Sequence, residues 1–306
     1  MKPGWRYHLA LFAVCWIWGL AFVGVKVLLE EVSYITLNLL RFLLAGCALL
    51  PLLLARWGKR PRLSAGEWTL VCVAGICAIY GYHLALTYGE TTIPAGTAGL
   101  IANTTPVFAA LLAGFLLGES LGRLKALGIL SAMGGVAIIT ILGSDASLGA
   151  GRVQGALLVL LAAAAWAVYT VLLKPLVEEH DPLFVTAYAV ILGTLALLPL
   201  ALACGDCARQ VRDISGEGWA WLAFLGLGCT VAGYLLYSWG LEGLGATQAA
   251  FYTYLIAPIS LFWGWAWLGE RVNAGLFLGT ALILVGLAAV GLEERRTGNR
   301  GRERRG

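Results

Sequence analysis

The sequence predicts an all-α integral membrane protein: ten transmembrane helices arranged as two inverted five-helix repeats. Three observations carry that prediction. The chain is 60% hydrophobic and only 12% charged, against roughly 45–50% and about 25% in soluble domains, so lipid must solvate much of its surface. Apolar runs of the ~20 residues needed to cross a ~30 Å hydrocarbon core recur along its length. The chain also repeats itself. Residues 95–119, AGTAGLIANTTPVFAALLAGFLLGE, return at 246–270 as ATQAAFYTYLIAPISLFWGWAWLGE, each with a central proline and a closing Leu-Gly-Glu. Both ends are offset by 151, close to half of the 306 residues, which marks an internal duplication. Pro106 and Pro258 stand 152 apart, one residue out of step.

The ten segments fall at about 7–29, 33–55, 67–88, 93–117, 122–142, 153–176, 182–203, 218–240, 245–268 and 273–292. The first follows Lys2 and Arg6, but its apolar run from Leu9 to Leu29 exceeds the roughly 7–15 residues of a signal core, and no small-x-small cleavage site follows, so it reads as a retained helix. The second holds Arg41 and the third His83. The fourth is interrupted by Pro106, and the fifth ends the first copy. The sixth and seventh repeat the first two: Trp18, Lys26, Glu30-Glu31 and Leu49-Leu50-Pro51 recur at an offset of 148 as Trp166, Lys174, Glu178-Glu179 and Leu197-Leu198-Pro199. Only Glu242 and some glycines separate the eighth from the ninth. The expected organisation is a first repeat over 1–143, a second over 144–292, and a basic disordered cytoplasmic tail over 293–306.

Orientation follows from the basic residues. With ten spans and the N-terminus inside, fifteen of the 21 lysines and arginines fall in cytoplasmic segments and four (Arg152, Arg209, Arg212, Arg271) outside. Both termini are then cytoplasmic, in the cell inner (plasma) membrane, with the tail arginines near anionic headgroups. Because five is odd, the second copy inserts upside down. Inverted repeats place a site near the bilayer midplane, around which two bundles rock. The net charge of +4 lies in short blocks between apolar runs and does not suggest nucleic acid. Cys15, Cys47, Cys72, Cys77 and Cys229 read as small buried hydrophobes; the close pair Cys204 and Cys207 is compatible with an external disulfide.

Trp18-Gly19, Leu40-Arg41-Phe42 and the two Pro…Leu-Gly-Glu segments, in this order and duplicated, carry a family likeness. Over essentially its whole length the chain resembles the EamA-domain transporters of the drug/metabolite transporter superfamily. The resemblance implies ten helices, a central cavity and alternating-access carriage of small metabolites, often outward. Its substrates range from amino acids to nucleotide-related compounds and drugs. Two features depart from strict symmetry: the position echoing Arg41 is Ala189, and the prolines are out of register.

Site residues follow from polar and aromatic groups inside spans. An arginine at the bilayer centre costs roughly 2.5–3.5 kcal/mol on insertion scales, so Arg41 must face protein or water. It either holds an anionic substrate group or ties carbonyls together. Lys26, nearer a helix end, is expected to snorkel outward. Tyr80, His83 and Thr87 stand at i, i+3 and i+7 and share a helical face. The offset of 151 sets His83 against Tyr234 and Thr87 against Ser238, with Thr230 and Tyr237 on the same face. These predict two walls of one substrate cavity, where a histidine also titrates in the physiological range. Trp18, Trp166 and Tyr169, and Asn103 with its repeat equivalent Tyr254, complete it. Aromatic faces suit flat, apolar or cationic metabolites. The competing reading is packing: Trp5, Trp57, Trp68, Trp219 and Trp221 fit an interfacial belt, and Trp263, Trp265 and Trp267 a lipid-facing surface. Pro106 and Pro258 are expected to kink their helices and serve as pivots. Glu119 and Glu270 either cap the next helix, pair with Arg123 or Arg271, or gate.

The function expected is a secondary transporter, an exporter of a small organic metabolite, amino-acid-like compound or drug. The alternatives are an intramembrane enzyme and a passive channel. There is no HExxH, no Ser/His/Asp set on facing helices and no paired mid-membrane carboxylates, so no catalytic residue, metal or cofactor is expected. No buried Asp or Glu is read either, which weakens proton coupling through a carboxylate. Partners are a small-molecule substrate and the lipid bilayer, with a homodimer left open.

Overall fold

The computed structural model describes residues 5–117, 122–142, 150–244 and 252–303. Among them, every regular element is helical. In order they are α1 (Trp5–Leu28), α2 (Tyr34–Ala55), α3 (Ala65–Glu90), α4 (Ala95–Ala102), α5 (Thr105–Leu117), α6 (Arg123–Leu142), α7 (Ala150–Glu179), α8 (Pro182–Ala203), the short α9 (Cys207–Asp213), α10 (216–244), α11 (Ile256–Leu268) and α12 (Ala274–Glu303). Nine spans among the described residues are long and apolar enough to cross a membrane. The ninth predicted span is described only in its second part, because 245–251 lie outside the described residues.

Local signals set the helix starts. Ser33 Oγ accepts from the Thr36 amide at 3.3 Å, and Ser64 and Glu67 form a reciprocal capping box at the head of α3, each meeting N–H groups that the helix leaves unpaired. Asp181 caps α8 with Pro182 in its first turn, where a missing N–H costs nothing. The Cys204–Cys207 disulfide forms in the turn leading into α9. Glycines bring α6 and α12 together: a Cβ on Gly128 would stand 2.7 Å from the Gly286 carbonyl, and one on Gly135 2.6 Å from that of Gly279. Small residues allow this backbone approach in lipid.

Two irregularities recur in both halves. α3 is π-helical over Cys77–Leu84 and α10 over Phe224–Ala232. The chain also breaks at Asn103–Thr104, between α4 and α5, and again at Tyr254–Leu255, before α11. These breaks correct the expected proline kinks. Pro106 and Pro258 sit in the first turn of the helices that follow, where proline is tolerated. α12 continues to Glu303.

Candidate functional site

A cavity of about 330 Å³ opens where α1, α2, α3, α7 and α10 meet the α4–α5 break. Of the residues predicted to line it, Trp18, His83, Asn103, Trp166, Tyr234 and Tyr237 do so, as do Arg41 and Pro106. Rings meet across it from both halves. The Trp18 ring lies 6.0 Å from Tyr234 and 5.4 Å from Tyr237, and Trp166 lies 6.5 Å from Tyr234. Trp18 is held by its Nε1, which donates to the Cys229 carbonyl at 3.0 Å, in the π-helical stretch of α10. Asn103 Nδ2 donates to the Thr253 carbonyl at 3.1 Å, so one break faces the other.

Four predicted cavity residues lie outside the lining. Tyr80 donates its hydroxyl to the Ala196 carbonyl on α8. Thr87 is fully buried, donates to His83 O at 2.8 Å and receives Asn38 Nδ2 at 2.7 Å. Tyr169 stacks behind Trp166 at 4.6 Å, and the Tyr254 hydroxyl donates to Leu287 O at 3.3 Å. For the two on α3, Tyr80 and Thr87, the cause is the π-helical turn, which is wider than an α turn. It breaks the i, i+3, i+7 alignment and brings Tyr82, not Tyr80, into the wall. Tyr82 lines the cavity and packs 4.7 Å from Trp166.

The polar groups of the wall are under-partnered. Arg41 is 7% exposed. Its Nε donates to Thr230 Oγ1 at 3.4 Å, and its guanidinium lies 5.3 Å from the Phe42 ring. His83 Nδ1 is buried without a hydrogen-bond partner. Glu90, which the sequence placed in a loop, forms the last residue of α3 and belongs to the wall. This overturns the expectation that no acid is buried. Lys26 does not snorkel: Nζ donates to the Glu90 and Ile93 carbonyls at 2.5 and 3.0 Å. Those carbonyls close α3 and the turn after it, where helix geometry leaves acceptors unpaired.

Leu268-Gly269-Glu270 has a definite geometry. Gly269 adopts φ 65°, the left-handed stop of α11, and the Glu270 amide returns to Gly264 O at 3.1 Å. Few residues but glycine take that conformation cheaply. The turn delivers Glu270 Oε1 and Oε2 to the amides of Ala95 and Gly96, at 2.5 and 2.9 Å. Glu270 therefore caps α4 in the other half of the chain, not the next helix. Burial raises its carboxyl above the usual range, opposed by these amides and Lys26. Glu119 lies outside the described residues. Trp265 and Trp267 are more than half exposed, as a lipid-facing surface requires, whereas Trp263 is half-buried against Trp16 and Phe262.

The sequence profile of the EamA-like transporter family matches residues 5–141 and again 153–292. The chain belongs to the EamA-like transporter family. A "Probable terminal-alkyne amino-acid exporter" of Streptantibioticus cattleyicolor is 32% identical over 288 residues, covering 94% of this chain and 92% of the relative. An "Uncharacterized transporter" of Archaeoglobus fulgidus is 30% identical over 289 residues, covering 92% and 96%. A solved crystal structure shares the fold at a TM-score of 0.64 and 21% identity, over 95% of this chain and 98% of that one. Family, relatives and apolar helices together make this a multi-pass membrane transporter.

Proposed function

We propose that this EamA family member is a secondary transporter that carries a small organic molecule by alternating access around the Trp18–Trp166 cavity, and that it works as an exporter. The observation that carries the reading is the cavity itself: a space lined by aromatic rings from both halves and by the buried Arg41 guanidinium. Such walls suit an amphipathic solute, an amino-acid-like compound or a drug, with Arg41 holding its anionic group. The name of the Streptantibioticus cattleyicolor relative, an amino-acid exporter, points the same way. The two repeats, 1–143 and 144–292, lie inverted in the plasma membrane with both termini cytoplasmic, and 293–306 is a cytoplasmic extension. The breaks at 103–104 and 254–255 give the two halves their pivots, and the Glu270 cap on α4 is a latch that opens in one direction of rocking.

Reconstitution into proteoliposomes tests this. Uptake of a radiolabelled amino-acid panel is expected to saturate and to accelerate when the lumen is preloaded with unlabelled solute. Flux linear in concentration, without trans-acceleration, would mark a channel; a chemically altered solute recovered from the lumen would mark an enzyme.

A further inference from the structure

One acid in the cavity wall has no answer in the residues around it. Glu90 is 0% exposed, and neither Oε1 nor Oε2 has a hydrogen-bond partner. Glu270, by contrast, is bound by two amides. Lys26 of α1, a cation beside Glu90, directs two of its donors to main-chain carbonyls, including that of Glu90 itself. The other charged and titratable groups around it are Arg41 of α2, Glu270 beyond α11, and Tyr82 and His83 of α3. α4 brings no titratable side chain, and α7 meets the adjoining Gly89 through Val159 and Gly155.

A carboxylate so enclosed has lost its hydration and gained no donor in exchange, a state too costly to persist uncompensated. It is neutralised either by a proton or by a cation brought in by a ligand. The same wall carries Trp18, Tyr82 and Trp166, whose ring faces attract cationic nitrogen. We propose that Glu90 binds a cationic nitrogen of the transported compound, and that a proton occupies the same carboxyl when the compound is absent. The exchange balances: the Oε–H bond breaks, one proton leaves to water, and the carboxylate pairs with the incoming cation. No electron moves. With Arg41 at the same cavity, the substrate meets a positive and a negative pole, so the preferred solute is dipolar. This rests on the carrier reading, but its test requires no transport.

The full chain, purified in detergent, is treated with dicyclohexylcarbodiimide, which adds to protonated carboxyls in apolar surroundings, and modified peptides are mapped by mass. Two probes compete: benzyltrimethylammonium, permanently charged and non-nucleophilic, and its neutral isostere neopentylbenzene. Glu90 is expected to be labelled, with the cation slowing labelling about fivefold more than the isostere does. Adding the cation in weak buffer should also release protons from the wild type and not from Glu90→Gln. Absence of label on Glu90, or equal protection by both probes, overturns the proposal. Failure of the carrier reading would appear elsewhere, as non-saturable flux from protein whose labelling still responds to the cation.

Discussion

The two halves share a scaffold and divide the chemistry. Both carry a π-helical stretch, at Cys77–Leu84 and Phe224–Ala232, and both break their next helix at equivalent positions, 103–104 and 254–255. Among the described residues, the charged groups of the cavity wall nevertheless come from the first half alone: Arg41 and Glu90, with His83 beside them. At the repeat offsets of 148 and 151, their counterparts are Ala189, Leu241 and Tyr234. The second half supplies rings, with Trp166, Tyr234 and Tyr237. Backbone devices that permit motion must exist in both copies if both move. A binding pole need exist only once, and a second one facing it would repel the same ligand.

The harshest way to break this comparison is to restore symmetry. Ala189 is 1% exposed on α8, packed against the backbone at Gly75 of α3. Ala189→Arg puts a cation with no cavity to face into that contact, and overpacking adds to the cost of desolvation, together about 4 kcal/mol. No monodisperse peak is expected on size-exclusion chromatography in detergent. A well-behaved, active variant would mean that the halves are interchangeable after all. Arg41→Met is the next largest: an apolar chain of similar length should keep the fold while cutting saturable uptake about tenfold or more, as losing a charge-assisted bond does. Arg41→Lys should recover part of it, since the charge remains and the planar fork does not. Full activity in Arg41→Met would remove the positive pole from the site.

Much of this was legible beforehand, and the limits were physical. Spans were readable because lipid demands long apolar runs; Trp18, Trp166 and Asn103 were readable because the duplication located them, and Arg41 because a charge inside a span must face protein or water. Glu90 was missed because it ends its helix; hydropathy assigns such a residue to the loop, and only tertiary packing, by α7 as well as α1 and α4, buries it. Lys26 was misread for the same reason, since snorkelling assumes water at the helix end, whereas Ile93 and Glu90 carbonyls stand there. Glu270 looked like a cap for its neighbour, because a partner 175 residues back cannot be read from spacing. The proline signal pointed to the right region and the wrong residue. A proline in a first turn follows a break rather than bending a continuous helix.

The mildest effects test the register shift in α3, which decides whether a residue there belongs to the cavity or to packing. His83 is on the wall with an unpartnered Nδ1, so His83→Ala should lower uptake severalfold with little loss of inserted protein, because it removes ring surface the substrate touches. Tyr80, three residues earlier, spends its hydroxyl on Ala196 O. Tyr80→Phe keeps the ring and loses one neutral hydrogen bond, about 1 kcal/mol, which a thermal-unfolding measurement in detergent would read as a drop of a few degrees. Its uptake rate should be unchanged. An ordinary α-helix would put the two side chains on one face and couple both to transport. A Tyr80→Phe variant that kept its stability and lost uptake would restore that face and remove the π-helical turn from the account of the site.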